Sequence, residues 1–263
     1  NYGDTQPTFQ TRMWGINSSA RNLVYVDDVP ISALISNNNT TGAPRWGLVS
    51  PEQIKGLDML YGPFAAQYPG NSMGGVLQIT TRQPDKLEVT AKQTEAFQTF
   101  SMYNTAGTYS TSNSAATIGD KVGKLSFFLS ANRQESFSQP LQFVTNATMV
   151  AGVNGFIPAY NKTGGQANVV GAGGLLHTIQ NNYMAKASVD LTDWLKASYQ
   201  VSYWENNQIS TVQTYLTGVN GQPTFGGVAG FASNTSNWTQ QHLANILSLK
   251  TDTGGNWDGE LIA

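Results

Sequence analysis

The segment best equipped for chemistry is Asn37–Asn38–Asn39–Thr40–Thr41–Gly42–Ala43–Pro44–Arg45–Trp46, where amide donors and acceptors stand beside one cation and one aromatic plane. That set suits recognition of a polar anionic chelate by hydrogen bonds, charge and stacking rather than the making of bonds. The competing reading is a solvated turn loop whose Trp46 packs on its own domain. A second run, Gln67 to Ser72, contributes Gln67, Tyr68 and Asn71. Further on, Phe137, Phe156, Tyr160, Tyr215, Phe225 and Trp238 lie in or beside long polar stretches as exposed-aromatic candidates, with packing of a loop as the alternative for each. Catalysis has no comparable footing. His177 and His242 are far apart and lack ligand-spaced neighbours, so no metal site is expected. Asp27–Asp28 read as turn residues, and no Ser/His/Asp order or glycine-rich phosphate loop stands in a supporting context. The chain has no cysteine, which removes thiol nucleophiles, thiolate metal sites and disulfides. Neither an enzyme nor a cofactor is expected.

Composition narrows the scaffold that must position these residues. The chain has 263 residues, 11% of them charged, well below the roughly 25% of ordinary soluble domains. Mean hydropathy is −0.28, and no uninterrupted apolar run approaches the ~18 residues of a membrane helix. Few charges with abundant Gly, Asn, Ser, Thr and aromatics fit a β-barrel membrane wall or an extracellular β-sandwich. A net charge of −2 lacks the basic footprint that nucleic acid demands. No basic-then-apolar leader follows Asn1, and Glu260–Leu261–Ile262–Ala263 looks like an interrupted strand, so the sequence reads as incomplete at both ends.

Two regions emerge. Residues 1–84 mix short apolar runs (Leu23–Val24–Tyr25–Val26 and Val76–Leu77–Gln78–Ile79) with polar loops. A short helix is expected from Ser50, with Ser50 as cap, Pro51 in the first position and Glu52 in the first turn. From Asp85 onward, ten-residue segments alternate with period two. In Lys196–Glu205, Ala197, Tyr199, Val201 and Tyr203 oppose Ser198, Gln200, Ser202 and Trp204. In Lys124–Asn132, Leu125, Phe127 and Leu129 oppose Ser126, Phe128 and Ser130. Seven strands are expected, over 86–99, 107–118, 124–135, 180–191, 195–206, 241–251 and 256–263. Short turns at 119–123, 191–195 and 253–256 alternate with long loops at about 136–178 and 206–240. That one-sided arrangement favours a membrane barrel over a sandwich, and an open edge in lipid requires further strands beyond Ala263. Trp194, at a short turn, suits an interfacial aromatic girdle.

The first region resembles the plug domain of TonB-dependent outer-membrane receptors. Val24–Tyr25–Val26–Asp27–Asp28–Val29–Pro30 resembles a plug strand and its Asp-Gly-Val-Pro turn, with Asp28 where Gly is commoner. Val49 to Leu60 is similar to the element leading into the family's Arg-Gly-Pro. Gly62–Pro63, Gly70–Asn71–Ser72 and Gly74–Gly75–Val76 then follow the family order through to Thr80–Thr81–Arg82 and the hinge at Gln83–Pro84. Read physically, Gly62, Pro63, Gly70, Asn71, Ser72, Gly74, Gly75 and Arg82 are fold-defining residues of turns and a last plug strand.

The resemblance implies a mixed α+β plug (1–84) followed by an all-β antiparallel transmembrane barrel (85–263), incomplete, in the bacterial outer membrane. It implies energised import of a scarce large ligand, foremost a ferric siderophore, with oligosaccharide or cobalamin as substrate variants and the TonB energy-transducing complex and outer-membrane lipid as partners. Asn37, Asn38, Arg45, Trp46, Gln67, Tyr68 and Asn71 would then line the plug's outer loops, with Phe156, Tyr160, Tyr215 and Trp238 on the external loops of the wall. A secreted carbohydrate-binding β-sandwich is the rival. One departure stands out. The family commonly carries Arg before Gly-Pro, pairing with wall carboxylates to lock the plug, whereas this chain has Tyr61. The lock is either rebuilt from Arg82, Arg45 or hydrogen bonds, or made differently.

Overall fold

The computed structural model describes residues 22–31, 46–61, 68, 72, 74–148 and 151–263. Its N-terminal sheet has four strands, β1 (Asn22–Val26), β2 (Val29–Pro30), β3 (Ile54–Leu60) and β4 (Gly75–Thr81), in the order β2-β1-β4-β3. The β1–β4 pair is parallel and the other two pairs are antiparallel. The apolar runs read from the sequence form its core: Val24, Val26, Ile31 and Ile79, flanked by Trp46, Leu48, Val49, Ile54 and Leu77. Asp27 and Asp28 make the two-residue turn between β1 and β2, both at positive φ (47° and 68°), as a hairpin turn of this handedness requires. The helix expected from Ser50 is only a single 3₁₀ turn, Pro51–Gln53. Ile54 already has extended backbone (φ −80°, ψ 127°) and enters β3 at once, which leaves no room for a further turn. Among the described residues the N-terminal region is therefore nearly all sheet.

The remainder is an antiparallel meander. Its strands are β5 (Glu88–Met102), β6 (Thr105–Val122), β7 (Leu125–Phe137), β10 (Asn168–Asp190), β11 (Leu195–Thr214), β13 (Ser236–Thr251) and β14 (Glu260–Ile262). They lie side by side in that sequence order, and the sheet does not close on itself. The long connection after β7 carries β8 (Gln142–Asn146), which adds to the far end of β10, and β9 (Val153–Asn154). The one after β11 carries β12 (Thr217–Gly218), paired with β9, and a one-turn helix α1 (Ala229–Ala232).

Several bounds differ from the sequence reading. The β10 and β11 strands run well past the expected 180–191 and 195–206. Alternation fades where both faces become polar, as in Glu205–Asn206–Asn207–Gln208, yet the ladder continues through those residues. The β5–β6 connection at the long-loop end shrinks to Tyr103–Asn104, and the turn expected at 119–123 is only Gly123–Lys124. The last strand is three residues long rather than eight.

The two faces of the meander are inverted relative to a water-soluble sheet. Register places Val122, Leu125, Val189, Ala197 and Leu249 in one row on the outer face. Two rows higher stand Val89, Ile118, Leu129, Ala185, Val201 and Asn245, and above them Ala91, Ala116, Ala131, Tyr183, Tyr203 and Leu243. Leu125 is 50% exposed and Leu247 48%. On the opposite face, Ser126, Ser130, Asn182, Ser188, Gln200 and Ser202 are buried, Ser202 to 1%. Apolar outside and polar inside is the pattern of a lipid-facing wall. A sandwich would put Leu125, Leu129, Tyr199 and Leu247 in a core, and among the described residues no second sheet covers them. Asn245, which interrupts the apolar face of β13, accepts a hydrogen bond from the Tyr199 hydroxyl at 2.8 Å.

The next row upward is wholly polar: Gln93, Ser114, Arg133, Asn181, Glu205 and Gln241. Tyr183 and Tyr203 stack just below it, ring centroids 6.5 Å apart, and Trp194 is half-exposed at the short-turn end. Apolar rows bracketed by aromatics are what a membrane-interface girdle looks like.

Candidate functional site

The N-terminal sheet rests on the polar inner face of the meander, and the contacts between them form a dense polar network. The 3₁₀ turn at Pro51–Gln53 aims the Gln53 side chain into the wall, where it is 0% exposed. Its Oε1 accepts from the Ser50 N–H at 2.9 Å, and its Nε2 donates to Ser130 Oγ at 3.2 Å and Asn182 Oδ1 at 2.6 Å. Asn182 donates in turn to the Gly47 carbonyl. Gly47 lies so close to Trp204 that a Cβ there would fall 2.2 Å from the indole. Trp204 is held by its Nε1–H, which donates to Gln180 Oε1 at 3.2 Å, and by stacking on His242 at 4.9 Å. Beside these contacts is a cavity of about 500 Å³, with Trp46, Glu52, Asn132, Gln180, Asn182 and Trp204 in its lining.

Nearer the short-turn end, a second cleft of about 430 Å³ has Asp27, Asp28 and Asp58 on one side and Lys186, Lys196 and Lys250 on the wall side. Lys186 Nζ lies 2.9 Å from Asp27 Oδ2 and 2.9 Å from Thr81 Oγ1. Asp27 also accepts from the Thr81 N–H at 2.9 Å and from the Thr81 hydroxyl. Lys250 pairs with Asp28 at 3.0 Å, Lys92 with Glu52 at 3.2 Å, and Gln83 donates to Ser188.

At the long-loop end the aromatics mostly pack. Phe156 joins a cluster of Val144, Val170, Leu216 and Phe231. Tyr215 is buried with Val169 and Ala172, and its hydroxyl is 2.6 Å from Thr105 Oγ1. Burial pushes the Tyr215 phenol up, against the opposing pull of the Thr105 hydrogen bond. Phe225 packs edge-on to Phe231 at 5.1 Å, and Phe137 stacks on His177 at 4.3 Å. Tyr160 is 77% exposed. Trp238 faces Gln208 across the β11–β13 ladder, on the same inner side as Trp204 and His242.

Asn37, Asn38, Arg45, Gly62, Pro63, Gln67, Gly70 and Asn71 lie outside the described residues. Trp46 packs against the N-terminal core and also lines the larger cavity. Tyr68 stands 6.0 Å from the Tyr25 ring, and burial foremost, then Tyr68, pushes the Tyr25 phenol up. Ser72 is half-buried. Gly74 is a close approach, since a Cβ would meet Asn22 Oδ1 at 2.3 Å, and Gly75 at φ 155° abuts Met59. Arg82, one candidate for rebuilding the lock, instead pairs with Glu88 at 3.6 Å, and its N–H donates to the Gln53 carbonyl at 2.7 Å.

The junction residues Gln53, Lys186 and Lys250 escaped the sequence reading. The available signal was a lysine, Lys186, on the polar face of an alternating strand in a chain with few charges. Period two gives its face, but its partner Asp27 is 159 residues away.

Comparison with known proteins agrees with this architecture. The family model described as TonB-dependent Receptor Plug Domain matches residues 1–76. The ferric enterobactin receptor PirA of Pseudomonas aeruginosa is 35% identical over 69 residues, which cover 24% of this chain and 9% of that receptor. The solved siderophore receptor PirA of Acinetobacter baumannii superposes with a TM-score of 0.59 at 15% identity, over 94% of this chain and 32% of that one. A point mutant of the ferric enterobactin receptor PfeA of Pseudomonas aeruginosa, solved with enterobactin, gives 0.58 at 14% identity, over 89% of this chain and 31% of that one. The chain thus spans about a third of the length of these solved receptors, and at such identities the structural likeness is one of fold. The chain carries a match to the plug domain of TonB-dependent receptors over its N-terminal region and shares the fold of these solved receptors over most of its length.

Proposed function

We propose that this chain is the plug (1–84) and adjoining wall (85–263) of an outer-membrane barrel that imports a ferric siderophore, driven by the TonB energy-transducing complex. One observation carries the reading: a folded sheet is held by hydrogen bonds and ion pairs against the polar face of a wall whose other face is apolar. A passive pore has no need of such a plug, and a secreted binding module has no need of an apolar exterior. The siderophore assignment rests on the relatives, one of which was solved with enterobactin. The ligand would meet Asn37, Asn38, Arg45, Trp46, Gln67, Tyr68 and Asn71, and the surfaces of Tyr160 and Trp238. Phe156 and Tyr215 pack the connection that carries Tyr160, whereas Trp238 stands on β13 itself.

The test uses cells expressing the full-length receptor and radio-iron-loaded enterobactin as the probe. Surface binding is expected to persist, and accumulation to stop, when TonB is deleted or the proton gradient is collapsed. Accumulation that continued unchanged would sink the energised mechanism. Absence of surface binding would sink the choice of ligand class.

A further inference from the structure

We propose that Asp27, Thr81 and Lys186 form the latch that holds the plug in this receptor, with the acid on the plug and the cation on the wall. The inference rests on the reading of the chain as a plugged barrel. Its charges run opposite to the arrangement implied by resemblance, in which a plug arginine meets wall carboxylates. Here Tyr61 occupies the arginine's position, and Arg82 is engaged with Glu88.

Three observations converge on this triad. The first is burial. The Lys186 and Asp27 side chains are only 11% and 20% exposed, and Lys186 Nζ has two oxygen partners at 2.9 Å. An ammonium this enclosed is strongly unfavourable without its carboxylate, so removing either partner penalises the other. The second is anchorage. Asp27 does not hang on a free loop, because its carboxylate also takes the Thr81 N–H and hydroxyl, and its own N–H donates to the Ile79 carbonyl at 2.9 Å. Force on Lys186 is thereby passed into β1 and β4, the parallel pair at the centre of the plug sheet.

The third is the turn itself. Asp28 sits at φ 68°, where glycine would be free of strain. The carboxylate it carries there reaches Lys250 of the wall at 3.0 Å, a half-exposed pair that adds direction more than strength. Both residues of the turn therefore point a carboxylate at a wall lysine.

The cleft explains how such a latch can open. Asp27, Asp28 and Asp58 face Lys186, Lys196 and Lys250 around about 430 Å³ of space. That volume admits water, which can solvate the separated charges as the plug shifts. A dry pair would be far harder to part. Lys186 is thus a positioning residue for transport, holding the closed state and releasing it.

The experiment needs neither ligand nor TonB. Full-length receptor is reconstituted in planar lipid bilayers, and conductance is followed as urea is raised to loosen the plug. In Lys186→Met and Asp27→Asn the open fraction at a given urea concentration is expected to rise roughly 5- to 150-fold, the range spanned by coupled groups in contact. The double variant should open no more than either single one, and Lys186→Arg should stay near wild type. Unchanged onset in Lys186→Met, or single effects that add, would overturn the latch. Failure of the wild-type receptor to insert would overturn the barrel reading beneath it. Should Lys186→Met fail to accumulate, Lys186→Gln, which keeps a hydrogen-bond donor without the charge, replaces it; opening earlier than in wild type is expected, and an unchanged onset would overturn the proposal.

Discussion

A charge placed on the outer face of the wall reads directly whether that face meets lipid. Val201 lies in the third apolar row counted from the short turns, in register with Ala185 and Asn245. Rows repeat every two residues, about 6.8 Å along an antiparallel strand. Four rows therefore span ~20 Å of strand, or ~15 Å along the membrane normal at a tilt near 40°. The Tyr183–Tyr203 pair stands in the uppermost of these rows and Trp194 lies below the lowest, which leaves Val201 inside the zone. Val201→Arg is accordingly expected to cost ~2–4 kcal/mol, and Asn207→Arg, three rows higher on the same face and beyond the polar row, ~0–1 kcal/mol. The assay is reversible folding of the full-length receptor into lipid vesicles, with the folded fraction read from gel mobility across a urea titration. A difference of ~3 kcal/mol separates the two variants by roughly a hundredfold in folding constant. Equal costs at the two positions, or a neutral Val201→Arg, would refute the assignment of this face to lipid and with it the depth scale.

Two further outcomes follow from the junction. Gln53→Leu keeps the volume but removes three hydrogen bonds, leaving the Ser50 N–H and Asn182 Oδ1 without those partners. At ~1–3 kcal/mol per buried group left unmatched, the plug should loosen by ~2–5 kcal/mol, visible as faster protease cleavage of the plug in a folded barrel. Gly47→Ala drives a Cβ into the Trp204 indole, whose ring is pinned by Gln180 and His242. A loss of ~1–3 kcal/mol is expected from such overpacking, and Trp204→Leu in the same chain should recover part of it. No recovery in thermal melts would mean that the strain is relieved elsewhere.

How much of this molecule its sequence specifies varies along the chain for physical reasons. Period-two alternation at Leu125–Ser130 and Lys196–Glu205 settles which residues share a face, because a strand must send neighbours to opposite sides. Six of the seven expected strands are long, and the last is only Glu260–Ile262. Alternation fails above the apolar rows, where Glu205 to Gln208 are polar on both faces, so strand length there depends on a ladder that only the paired neighbours reveal. The 3₁₀ turn at Pro51–Gln53 carried helix-start signals that β3 overrode by claiming Ile54. Outer-loop candidates could be named from the sequence only by residue type. Whether an aromatic such as Tyr215 offers itself or packs was decided by Val169, Ala172 and Thr105, brought in from other strands. The run from Gly62 to Arg82 was readable as a resemblance to the plug of TonB-dependent receptors, and within it Gly74 and Gly75 are close approaches, which are local demands on the backbone. What holds the plug was not local. Lys186 meets Asp27 and Gln53 meets Asn182 across 159 and 129 residues, and such pairings exist only once two sheets have packed face to face.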